Sequence, residues 1–350
     1  MTKILLKNNN KILYLYNMKY IFIMSLIIST MITINSSSWL NAWMGMEINL
    51  MSFIPLMMNF SKNFKSSNSM MIYFIIQSCA SSMMFISMMM MKIEFIFMKM
   101  NSMMNIIQIS LLMKLGASPF HWWIIKIINN LNWMNCFIIM TWQKIAPLML
   151  IMITNNNKLI YLSALFSTYM GAMMGLNQSL IKMIMIYSSI NHLGWMLMTL
   201  NLNLNMMIIY LIIYSLINLM LCLMMNYYNF IYLNQLFKNN NQNISMKMIM
   251  MSLFLSLGGL PPLLGFLPKF FVLMLMIKSY MMLESIMFII LATISLSYYI
   301  NPLLSMMIMI KFNSKWNFKK KNINKMMFNI LMINLILMLI MYTPMINQIM

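Results

Sequence analysis

Residues 101–126, NSMMNIIQISLLMKLGASPFHWWIIK, decide what kind of molecule this is. As one helix these 26 residues would extend about 39 Å at 1.5 Å per residue, against a hydrocarbon core about 30 Å thick. The run holds Gly116 and Pro119, with Lys114 about halfway along it. A second overlong run, 247–277, repeats the pattern with Gly258, Gly259, Pro261, Pro262 and Pro268 around Lys269. Proline removes a backbone donor and clashes with the preceding turn, so both runs read as broken helices. Non-helical backbone at membrane depth is tolerated where it is buried in protein or lines a hydrated cavity.

Outward from these two runs, apolar stretches about 20 residues long recur along the chain. They predict helices near 20–36, 39–60, 69–91, 101–126, 133–153, 159–177, 182–200, 206–226, 247–277, 285–310 and 326–345. The expected fold is an all-α polytopic membrane protein of about eleven transmembrane helices. Composition agrees: 62% of the 350 residues are hydrophobic, 7% are charged, and the mean hydropathy is +0.81. These values exclude a water-soluble α/β domain.

A net charge of +20 would suggest nucleic acid in a soluble protein. The chain has no Arg for bidentate base contacts, however, and its 23 lysines are distributed by topology. With the N-terminus inside, sixteen lysines fall on the inner side, four on the outer side (92, 99, 158 and 278) and three within the membrane. That asymmetry follows the positive-inside rule. The 57 Met and abundant Asn fit an AT-rich coding bias typical of animal mitochondrial genomes, with Met as apolar filler. No Cys or His cluster accompanies the Met to select a soft metal. Cys79, Cys136 and Cys222 read as small buried hydrophobes.

An odd helix count gives two consecutive five-helix units opposite topologies. Residues 19–153 and 159–310 would then form inverted repeats, with the broken helices fourth and ninth in matching positions. Residues 1–18 are an N-terminal extension, 311–325 a basic loop and 326–350 the last helix.

Lys114, Lys144 and Lys269 are expected within the membrane, each costing roughly 2.5 to 3.5 kcal/mol near a helix centre. Glu47 is the only acid placed there. Burial disfavours the charged form of either group and an opposite charge restores it, so such groups are suited to pass protons. The bland reading is snorkelling for the lysines and a structural ion pair for Glu47. Pro119, Pro147 and Pro268 would free the carbonyls of Leu115, Gln143 and Leu264, each near a buried lysine; ordinary kinks are the alternative. His192 lies mid-helix in the second unit at the position matching Glu47, whereas His121, beyond Pro119, reads as a packing residue. Two His cannot supply several haem or copper ligands, and no nucleotide-binding loop occurs. No metal or cofactor site is expected.

Five stretches carry a resemblance: WMGMEINLMSFIP (43–55), LLMKLGASPFHWW (111–123), TWQKIAP (141–147), YSSINHLGWM (187–196) and LSLGGLPPLLGFLPK (255–269). In order and spacing the chain resembles the antiporter-like membrane subunits of respiratory complex I, NADH:ubiquinone oxidoreductase. The resemblance implies that Glu47, Lys114, Lys144, His192 and Lys269 match a proton relay. It also implies that this chain binds no cofactor, with NADH, FMN, iron–sulfur clusters and ubiquinone handled by other subunits. Implied partners are the adjacent antiporter-like chain, small membrane chains, accessory subunits and phospholipids such as cardiolipin. The chain departs from the family at Ile124-Ile125-Lys126, where many relatives carry a Pro and an acidic residue, and at Ile181-Lys182, where Arg-Lys is common. A stand-alone cation/proton antiporter and a purely structural membrane subunit are the rival expectations.

Overall fold

Lipid offers the backbone no hydrogen-bond partner, which favours helices, and small polar side chains follow the same rule. The hydroxyls of Ser29, Thr33, Ser110, Ser188 and Thr199 donate to carbonyls three residues back, at 2.6 to 2.7 Å, so buried polar groups are satisfied within the helix itself.

The computed structural model describes residues 2–58, 64–94, 100–154, 157–238 and 244–312. The helices are α1 (Thr2–Ile34), α2 (Trp39–Met57), α3 (Phe64–Glu94), α4 (Met100–Leu115), α5 (Trp122–Ile128), α6 (Trp133–Met140) and α7 (Trp142–Ile153). They continue with α8 (Asn157–Gly175), α9 (Ile181–Leu202), α10 (Leu204–Tyr228), α11 (Leu233–Lys238), α12 (Ile244–Gly258), α13 (Phe266–Lys278) and α14 (Met282–Phe312). Among the described residues there is no strand. One isolated antiparallel bridge joins Leu180 to Tyr232.

Ser67–Met91, Trp133–Ile153, Leu204–Tyr228 and Met282–Pro302 are long and apolar enough to cross a membrane by length and composition. Ser102–Leu115 and Met248–Gly258 are shorter, because each is the first half of an interrupted run. Run 101–126 is α4 and α5, separated from Gly116 to His121; run 247–277 is α12 and α13, separated from Gly259 to Gly265. In run 133–153 a turn falls at Thr141, whose amide still donates to the Phe137 carbonyl at 3.0 Å.

Several local expectations need correction. Pro119 lies outside any helix, because the chain leaves α4 at Gly116 with φ of 66° before the proline is reached. Pro268 is the third residue of α13, where a helix needs no N–H donor, so it does not uncouple Leu264 from a helix. The N-terminal extension, where described, is helical and runs on into the first span: α1 extends from Thr2 to Ile34 and holds no Gly or Pro. Cys79 is exposed, unlike Cys136 and Cys222. The predicted helix 326–345 and residues 313–325 of the basic loop lie outside the described residues.

Packing divides the chain into two units, described separately. Among the described residues, the first draws on 1–116, 120–135 and 142–159, the second on 117–119, 136–141 and 160–312. In the first, α1 packs on α2, α2 on α3, α3 on α4 and α5, and α7 on α1 and α4. The α1–α2 approach depends on Gly45, where a Cβ would run into Thr33. In the second, α9 contacts α10 and α13, while α14 packs on α11, α12 and α13. Every residue of α9 from Ile184 to Leu200 is buried, which makes it the core helix of its unit. Met fills both cores, as at Met57, Met84, Met196 and Met225. Large apolar side chains such as Ile28, Met71, Ile86, Phe166 and Ile286 face outward, a surface suited to lipid or other membrane chains.

Candidate functional site

In the first unit Glu47 stands midway along α2 and is half-buried. Lys114 occupies the last turn of α4 and Lys144 the first turn of α7; both are buried. Because α4 and α7 pack together, the structure brings the two lysine-bearing helices side by side. The Glu47 carboxylate lies within electrostatic reach of the Lys114 ammonium, while its own Oε1 is buried without a hydrogen-bond partner. Beside them, Gln143 Nε2 donates to Asn49 Oδ1 at 3.0 Å, fixing α7 against α2 one residue from Lys144 and two from Glu47.

Lys114 was expected near the middle of a span; the break places it at a helix end instead. Helix C-termini leave carbonyls unpaired and carry partial negative charge, so a cation is electrostatically favoured there. Neutral donors satisfy two of those carbonyls: Gln77 Nε2 donates to the Lys114 carbonyl at 3.3 Å and Trp123 Nε1 to that of Met113 at 3.1 Å.

In the second unit Lys269 is the fourth residue of α13 and is buried. Its Nζ turns back to the end of α12, donating to the carbonyls of Gly258 at 3.0 Å and Leu257 at 3.3 Å. These carbonyls, not that of Leu264, are its partners. Nζ also lies 6.0 Å from the Trp195 ring centroid, at the edge of cation–π range. Gly259, at φ 81°, makes the turn possible, and a Cβ there would sit 3.2 Å from Nζ.

His192 lies at the centre of α9, buried, with Nδ1 2.8 Å from the hydroxyl of Tyr210 on α10. The Tyr214 ring, one turn on, is 5.0 Å from the imidazole. His121 is half-buried in the α4–α5 linker, and its carbonyl accepts from Ile124 N at 3.2 Å. Sequence reasoning missed Gln77, Gln143, Trp195, Tyr210 and Tyr214. For the α10 tyrosines a signal existed: Tyr210, Tyr214 and Asn218 form a polar stripe at four-residue spacing on an apolar helix.

Comparison with known proteins agrees with this architecture. Residues 36–295 match the family described as "NADH:quinone oxidoreductase/Mrp antiporter, TM". The chain is 38% identical over 309 residues to NADH-ubiquinone oxidoreductase chain 2 of Locusta migratoria, covering 87% of this chain and 90% of that one. It is 40% identical over 311 residues to chain 2 of Anopheles gambiae, covering 87% and 91%. Its fold is similar to a chain of respiratory complex I from Thermus thermophilus with bound Aureothin, with a TM-score of 0.74, 17% identity and coverage of 83% and 70%. The chain thus belongs to the NADH:quinone oxidoreductase/Mrp antiporter family of membrane proteins.

Proposed function

We propose that this chain is a core membrane subunit of respiratory complex I, taking part in proton translocation across the mitochondrial inner membrane. The curated relatives at about 40% identity support the assignment to the complex. NADH oxidation and ubiquinone reduction occur on other subunits, and this chain holds no redox centre. It has eleven spans, two inverted five-helix units and its N-terminus in the matrix, a topology supported by the lysine asymmetry. Neighbouring antiporter-like and small membrane chains, accessory subunits and phospholipids such as cardiolipin cover its apolar outer faces.

The relay comprises Glu47, Lys114, Lys144, His192 and Lys269. The single observation that carries it is the coupling of Glu47 to Lys114, a half-buried acid and a buried base, with the acid's buried Oε1 not locked by a hydrogen bond. The carboxylate favours the charged form of the lysine, against the desolvation that burial imposes on it. Removing the carboxylate charge by protonation takes that support from the ammonium, whose proton then passes through intervening water to the lone pair of a neutral lysine amine. Lys144, on the helix packed against α4, is the next acceptor in the first unit; Lys269 and His192 repeat the chemistry in the second. The test is to measure protons moved per NADH in liposomes holding the assembled complex with Lys114→Met or Lys144→Met. Loss of pumping with normal assembly is expected; unchanged stoichiometry contradicts the relay, and loss of assembly alone assigns the lysines a structural role.

A further inference from the structure

Among the described residues Trp195 is the largest side chain to be fully buried. It lies on α9 three residues beyond His192, and α9 packs on α13, which carries Lys269. The Phe288 ring of α14 braces the indole edge to face, with centroids 4.8 Å apart and planes at 90°. On its other side the Lys269 ammonium stands over the indole, 6.0 Å from the ring centroid. The indole Nε1 is buried and has no hydrogen-bond partner. Phe or Leu would fill a core position that needed only bulk, and native interiors rarely leave a donor unsatisfied.

The donors and acceptors around Lys269 give that N–H a use. An ammonium has three N–H donors and no acceptor, whereas a neutral amine has two donors and one lone pair. The carbonyls of Gly258 and Leu257 take two donors, at 3.0 and 3.3 Å. The third N–H of the ammonium is left to the negative face of the Trp195 ring. In the neutral amine the same carbonyls take both N–H groups, and the lone pair is left over. The other titratable side chains buried on helices packed against α13 are Tyr187 and His192 on α9, Tyr210, Tyr214 and Cys222 on α10, and Tyr298 and Tyr299 on α14. No buried carboxylate occurs among the described residues of these helices, so Lys269 depends on fixed dipoles and on the indole.

We propose that Trp195 is a positioning residue for Lys269, its ring face supporting the ammonium and its indole N–H donating to the lone pair of the neutral amine. Both protonation states then keep the two carbonyl bonds, and only the third partner changes. The flexible lysine stem closes the distance to Nε1 while Phe288 holds the ring in place. Trp195 itself neither gains nor loses a proton. Its role rests on the relay reading above, in which Lys269 changes charge, and adds to it the neighbour that lets the change occur without a buried countercharge.

The test measures NADH-driven pumping against pH in liposomes holding the assembled complex. Trp195→Phe keeps a ring face and removes the donor to the neutral amine, which favours the ammonium. Its pH profile should move about half a unit to one unit alkaline, and pumping near neutral pH should fall about three- to tenfold. Trp195→Leu removes both supports, which oppose each other, so its profile should move less. Pumping that falls with an unmoved profile marks a packing role and overturns the proposal, as does a shift in Trp195→Leu equal to that in Trp195→Phe. If Trp195→Phe fails to assemble, maps of the wild-type complex at acid and alkaline pH decide: Nε1 should come within hydrogen-bond distance of Nζ at alkaline pH only, and any other pattern overturns the proposal. Lys269→Met, run in parallel, separates the two ideas. If it pumps normally, the relay reading fails; if it impairs pumping while Trp195→Phe matches the wild type in rate and profile, the relay stands and only the role of Trp195 fails.

Discussion

The two interrupted runs solve the same problem in different ways. At each break the first half-helix ends in unpaired carbonyls with a buried lysine nearby. At α4 the carbonyls of Met113 and Lys114 are served by the neutral donors Trp123 and Gln77, while the Lys114 ammonium lies within electrostatic reach of Glu47. At α12 the carbonyls of Leu257 and Gly258 are served by Lys269 itself, reaching back from the helix that restarts the run. The first lysine lies within electrostatic reach of a carboxylate, the second is bonded to fixed dipoles. The difference teaches that a buried lysine in such a break can be a switch or a cap, and only its partners tell which.

The largest effect that would break the comparison lies in the turns. A Cβ at Gly265 would fall on the backbone carbonyl of Ser256, which has little freedom to move, so Gly265→Ala should abolish assembly of the complex. A Cβ at Gly116 meets the side chain of Ile124, which can rotate away; Gly116→Ala should cost about 1 to 2 kcal/mol, mostly from its positive φ. Native gels of the assembled complex distinguish the two.

Next come the lysines. Lys269→Met strips donors from two buried carbonyls, and thermal unfolding should show a loss of about 2 to 3 kcal/mol together with lost pumping. Lys114→Met leaves both neutral caps in place and removes a buried charge whose desolvation cost offsets its pairing, so it should destabilise less than Lys269→Met while pumping is lost. Equal destabilisation by the two variants would erase the distinction between switch and cap. Gln77→Leu should do the reverse of Lys114→Met, costing about 1 kcal/mol in thermal stability with pumping retained. The smallest expected effect is at Tyr210→Phe. Losing the 2.8 Å contact to His192 should cost about 0.5 to 1.5 kcal/mol and change the pH profile of pumping without abolishing it.

Much of this was legible in the sequence because lipid enforces simple rules. Apolar length placed α2, α3, α9 and α10 within a few residues of their observed ends, and Gly/Pro content located both breaks. Lys114, Lys144 and Lys269 were singled out by their cost in an apolar run, and all three are buried. What each break does to its lysine was not legible. Pro119 drew attention, but the helix had already ended at Gly116, whose backbone turn comes earlier in the chain. The partners of Lys269 lie 11 and 12 residues upstream, at a distance set by how the Gly259–Gly265 linker folds. The inward tyrosines of α14 were hidden for another reason: adjacent Tyr298 and Tyr299 resemble an interfacial aromatic pair until packing shows both to be buried.

The central claim is that Glu47 and Lys114 act as one proton-handling unit, and a double-mutant cycle tests it most directly. NADH-driven pumping would be measured in liposomes for the wild type, Glu47→Gln, Lys114→Met and the double variant. Coupled residues predict that each single change lowers pumping and that the double variant is no worse than the poorer single one. Independent, multiplying losses, or full pumping in either single variant, would contradict the account.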